Sequence, residues 1–140
     1  MRLRPVLAAT LVLTGLMVLP ANAGCGVGGV RGRDPGYAAI DAEIDRAAAR
    51  RKVPPYLLKA IAWHESRWRQ FYSDGRVVLS GSCAIGVMQV LPRGWDAGRL
   101  ASDYRYNVDA GAQMLASKMS ASSANVPSSL GSVIEARAPR

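Results

Sequence analysis

The chain has 140 residues, 18 basic and 10 acidic side chains, and a formal charge of +8, which leaves room for one small domain and draws it toward anionic polymers. His64 is its one histidine and is followed by Glu65-Ser66-Arg67-Trp68, so tryptophan stands where an H-E-x-x-H site needs its second histidine. A zinc hydrolase is therefore excluded, and neither metal nor cofactor is implied.

Arg2 and Arg4 precede an apolar run from Val6 to Leu19, and Ala21-Asn22-Ala23 has the small-residue form of a cleavage site. That pattern predicts a secretory signal peptide over residues 1–23. The run is shorter than the roughly 18–20 apolar residues a membrane span needs, so no stable span is expected after cleavage. A lipidated Cys25 is the alternative, although Asn22 stands where such signals usually carry leucine. Export would place the protein in the periplasm or outside the cell, where wall polymers are the abundant anionic partner. No nucleic-acid motif is present. An oxidising compartment permits a Cys25–Cys83 disulfide, and a reduced pair is equally compatible with the sequence.

Residues 24–33 are glycine-rich and predict a flexible leader. Asp34-Pro35 then supplies an N-cap and a proline for the first helical position. Tyr37, Ile40, Ile44 and Ala48 recur at helical spacing, with Arg46, Arg50, Arg51 and Lys52 as the solvated, dipole-compatible end of that helix. Val53-Pro54-Pro55 ends it and starts a second helix. At about 100° per residue, Leu57, Leu58, Ile61 and Trp68 form an apolar stripe, and Glu65 falls roughly 40° from its centre. A carboxyl there should lose water, which disfavours its charged form and raises its pKa toward that of a proton donor at neutral pH. The competing reading pairs Glu65 with Arg67 or Arg69 at the helix edge.

Asp74-Gly75, between Phe71-Tyr72 and Val77-Val78, predicts a hairpin. A mostly apolar segment with one amide, Gln89, follows and closes at Pro92. A further helix is predicted over Tyr106–Met119, and residues 120–140, lacking apolar periodicity, read as a disordered tail.

Three stretches, HES at 64–66, AIGVMQVLP at 84–92 and YNVDAGAQML at 106–115, stand in an order that resembles the first three motifs of the soluble-lytic-transglycosylase (SLT) domain family, related in fold to goose-type lysozyme. The resemblance implies a mainly α, lysozyme-like domain with a small β-hairpin over residues 34–119. It implies a peptidoglycan lytic transglycosylase cutting between N-acetylmuramic acid and N-acetylglucosamine, with Glu65 as the sole acid/base. The muramic C6 hydroxyl would be the nucleophile, leaving a 1,6-anhydro end, so no second carboxylate is required. Ser66, Met88, Gln89 and Asn107 match family positions and are implied to bind substrate. Helix-end hydroxyl bonding for Ser66, core packing for Met88 and N-capping for Asn107 stay open as bland alternatives.

Two departures qualify the likeness. The hairpin lengthens the segment between Glu65 and Gln89, and the family's fourth motif, of the form A-Y-N-A-G, does not occur after Met119. The alternative function is therefore an inactive wall-binding protein or a truncated fragment of such an enzyme.

Overall fold

The computed structural model describes residues 25–124, which form four helices: α1 (Tyr37–Arg51), α2 (Pro55–Ser66), α3 (Ala97–Ser102) and α4 (Tyr104–Ala124). The expected mainly α architecture is what folds. Ile40, Ile44, Ala47 and Ala48 on α1 are buried with Leu58 and Ala62 of α2 and Val108 and Ala112 of α4. α1 packs chiefly against α4, and α2 lies beside α1.

Helix α1 starts two residues later than the Asp-Pro signal suggests. Gly36 is its N-cap, at a φ of 83° that favours glycine. The Asp34 carboxylate instead works as a staple: it accepts from Gly36 N at 3.0 Å and, across the fold, from Gln70 N at 2.8 Å and Phe71 N at 3.0 Å. Nor are the arginines of α1 simply a solvated end. Arg46 and Arg50 each reach Glu43 at 2.9 Å, and Arg50 and Arg51 both bind Asp109 on α4. The Asp109 bridges clamp α1 onto α4 beside the buried alanine seam, while those of Glu43 lie within α1.

The glycine-rich leader is pinned rather than flexible from Cys25 onward. Cys25 is disulfide-bonded to Cys83, Val27 is buried, and Gly32 N donates to Gly75 O at 2.9 Å. Gly32 lies so close to the Phe71 ring that an added Cβ would sit 2.4 Å from it. Closing a loop of 58 residues removes denatured-state entropy worth about 4 kcal/mol in the chain-entropy picture.

The hairpin forms around Asp74-Gly75 with an isolated antiparallel bridge from Phe71 to Val77, and a second bridge, Arg31 to Arg76, joins the leader to it. Tyr72 N donates to Arg76 O at 2.8 Å, and Gly75 takes a φ of 81° at the bend. The short helix α3 has no counterpart among the predicted elements. Asp96 caps it by accepting from Arg99 N at 2.9 Å. The final helix begins at Tyr104, two residues before the predicted start, and takes in Ser120–Ala124, which the sequence assigns to the tail. The predicted signal peptide and the rest of that tail lie outside the described residues. Among the described residues, no helix is long and apolar enough to cross a membrane.

Candidate active site

Helix α2 ends abruptly. Arg67 and Trp68 both adopt left-handed φ of 56°, with Arg67 N donating to Trp63 O at 3.0 Å and Trp68 N to Ala62 O at 3.3 Å. Two successive left-handed residues reverse the chain and close off the orphan carbonyls of the last turn. Trp68 therefore leaves the helical wheel, and its indole is fixed instead by Nε1 donating to Lys59 O at 2.9 Å.

This ending corrects the expectation for Glu65. With Trp68 turned away, the apolar stripe no longer reaches the last turn of α2, and Glu65 is exposed. It pairs with neither Arg67 nor Arg69; the Arg67 guanidinium lies 5.1 Å from the centroid of the Trp63 ring.

Ser66 ties this helix end to the Gly-Val-Met-Gln turn. Its hydroxyl donates to Val87 O at 2.8 Å, with Ala62 O at 3.2 Å as the alternative acceptor, and it accepts from Arg69 N at 3.0 Å. The turn itself is closed by reciprocal bonds between Ile85 and Val90, each 3.0 Å. Two buried amides cage it. Asn107 accepts from Met88 N at 2.9 Å and donates to Ile85 O at 2.8 Å and Leu100 O at 3.1 Å. Gln70 accepts from Val87 N at 3.2 Å and donates to Leu100 O and Ala101 O. Gly86 fits between them at a φ of 70°; a Cβ there would lie 2.4 Å from Gln70 Oε1 and 2.6 Å from Asn107 Nδ2. Only glycine meets both demands.

The substrate-binding expectations divide accordingly. Asn107 is fully buried and spends its amide on backbone, so it neither caps α4 nor faces a ligand. The cap belongs to Asp103, whose Oδ1 accepts from Arg105 N at 3.0 Å and Tyr106 N at 3.3 Å. Met88 is a core residue, 6% exposed, against Gly111 of α4, where a Cβ would come within 2.6 Å of its side chain. Ser66 commits its proton to a backbone carbonyl. All three are engaged by protein contacts. Gln89 differs: its Nε2 donates to Gly86 O at 2.9 Å, its side chain is half-buried, and Oε1 accepts no bond among the described residues. Sequence reasoning missed Gln70, because an amide in a loop between a helix and a hairpin carries no periodic signal.

The carboxylates sort just as cleanly. Asp34 serves three backbone N–H groups; Asp41 and Asp45 bind Lys59; Glu43 and Asp109 hold arginines; Asp74 pairs with Arg76; Asp96 and Asp103 cap helices. Burial pushes the Asp109 carboxyl up, but the hydrogen bonds and charges of Arg51 and Arg50 together outweigh it and hold the pKa below its ordinary value. Hydrogen bonds from the backbone and side chain of Arg76 lower that of Asp74. Among the described residues Glu65 alone has a carboxyl with no protein partner.

A family model described as the transglycosylase SLT domain matches residues 43–132, more than half of the chain and thirteen residues past Met119. No curated protein and no solved structure matches.

Proposed function

Because the chain belongs to the transglycosylase SLT domain family, we propose that it is an exported lytic transglycosylase cutting the β-1,4 bond between N-acetylmuramic acid and N-acetylglucosamine in peptidoglycan, with Glu65 as its only acid/base. The observation that carries this reading is the solitary state of Glu65. Every other described carboxylate is engaged in a cap, staple or ion pair, so a second one is not at hand for the two-carboxylate chemistry of ordinary glycosidases.

One group then serves twice. Glu65 gives its proton to the leaving glycosidic oxygen as the anomeric bond breaks. The carboxylate so formed takes the proton of the muramic C6 hydroxyl, whose oxygen closes the 1,6-anhydro ring. Atoms and charge balance, and Glu65 is again protonated. The nucleophile belongs to the sugar, so its approach needs no second molecule to be held. The apolar surroundings that the sequence argument sought in the protein are, on this reading, supplied by bound glycan, which displaces water from the exposed carboxyl. Ser66 and the caged turn fix the helix end, and Gln89 Oε1 accepts from an acetamido N–H.

Export agrees with the Cys25–Cys83 bond, which suits an oxidising compartment and leaves the Cys25 sulfur no valence for a lipid thioether. The decisive measurement is digestion of purified peptidoglycan with mass analysis of the products. Wild type should release 1,6-anhydro ends, and Glu65→Gln should lower the rate by about 10²–10⁴-fold. Reducing ends in their place would show hydrolysis; anhydro ends undiminished in Glu65→Gln would overturn the assignment of Glu65. The exposure of Glu65 favours one other reading, an inactive wall-binding protein. That protein would sediment with cell walls and release nothing.

A further inference from the structure

We propose that the trough between the start of α1 and residues 68–75 is a second saccharide site, taking a carboxylate-bearing N-acetylated hexosamine unit of the wall glycan. The inference rests on the reading above for the polymer but not for its cleavage. Two adjoining hollows of about 390 and 520 Å³ share Asp34, Tyr72 and Ser73 and so form one elongated depression. Each by itself lies within the range of about 300–1,000 Å³ usual for ligand clefts. Neither Glu65 nor the 85–90 turn lines either hollow, so the trough is separate from the candidate active site.

Its walls have the composition that pyranose rings require. Tyr37 is 54% exposed and Tyr72 38% exposed, a large commitment of aromatic surface to solvent. Tyr37 and Trp68 meet with ring centroids 6.1 Å apart and planes at 56°, an open wedge rather than a closed stack. Trp68 is held by its bond to Lys59 O, so this wedge is formed before any ligand arrives. Rigid aromatic faces bury the C–H face of a sugar at little conformational cost.

Charge selects among sugars. The trough's acidic residues are already occupied: Asp34 accepts three backbone N–H bonds, and Asp74 is 2.6 Å from Arg76. Its lining arginines, Arg33 and Arg69, are exposed and make no ion pair among the described residues. The unspent charge is therefore positive, with one such arginine lining each hollow. A neutral chitin-type unit would use the rings alone; a unit bearing a lactyl carboxylate would use the rings and an arginine together.

The test uses the full chain carrying Glu65→Gln, so that ligand survives, with two soluble probes: a tetrasaccharide of alternating N-acetylglucosamine and N-acetylmuramic acid, and neutral chitotetraose. Titration calorimetry should show the acidic probe binding about fivefold tighter at low salt, with the advantage lost at high salt. Adding Arg33→Gln and Arg69→Gln should equalise the two probes. Adding Tyr37→Ala and Tyr72→Ala should weaken both by about tenfold without moving the melting temperature. Amide shifts on titration should include residues 68–73. No binding, equal binding indifferent to the arginines, or shifts confined to residues 65–66 and 84–90 would overturn the proposal. Binding in the trough by a protein that cleaves no peptidoglycan would uphold it and sink the enzymatic reading instead.

Discussion

Two glutamates on neighbouring helices live in opposite surroundings. Glu43, in the middle of α1, is 3% exposed and holds two guanidinium groups; Glu65, at the end of α2, stands in solvent with no protein partner. The chain buries a carboxylate where it can satisfy one, since an unpaired buried charge is costly. A carboxyl that must change protonation during a reaction cannot be tied to an arginine, and under the proposed function a bound ligand covers this one. What the protein supplies around Glu65 is a fixed backbone, through Ser66 and the caged turn.

That division of labour predicts its largest effect at the cage. Gly86→Ala forces a Cβ into Gln70 and Asn107 at a left-handed φ. Backbone strain and overpacking should together cost about 4 kcal/mol. Denaturant unfolding should show the loss, and peptidoglycan cleavage should fall even in molecules that remain folded. Unchanged stability would mean that the turn relaxes freely and cannot be what holds Glu65.

Next in size comes the direct comparison of the two carboxyls. Glu43→Gln puts an amide N–H against one of two arginines and should cost about 2 kcal/mol, less than a fully buried pair because both guanidinium groups are half-exposed. Glu65→Gln should leave stability within about 0.5 kcal/mol while removing activity. Reversal of this pattern in thermal melts would break the contrast.

What the sequence revealed and concealed follows the same line. Helix periodicity and Pro54-Pro55 marked α1 and α2, and the motif order marked the turn and α4. The wheel set Glu65 beside an apolar stripe, yet an angle does not say whether another element covers it, nor that the helix stops before Trp68. Asn107 and Gln70 are buried polar residues whose partners lie on distant segments, Ile85 and Leu100 for one, Val87 and Leu100 for the other. Nothing local predicts such pairs. Helix α3 was too short for periodicity, and its one signal, Asp96 as a cap, needed the three following residues to be read as a helical turn.

The smallest effect is expected at Asp109, which lies between the two extremes: half-buried, bound by Arg50 and Arg51, and next to the buried α4 seam. Burial pushes its carboxyl up, but the hydrogen bonds and charges of the two arginines together hold it below its ordinary pKa in the fold. A depressed folded value favours the folded state fully only above the unfolded carboxylate pKa of about 3.9, and the benefit is lost as pH falls through the folded value. Asp109→Asn should therefore cost about 1 kcal/mol at neutral pH, a melting shift near 5 °C for a domain of this size. The deficit should hold steady down to about pH 5 and close below pH 4 as the wild-type carboxylate itself takes up a proton. A deficit that persists undiminished in acid would assign Asp109 a packing role and leave the joining of α1 to α4 to their buried apolar seam.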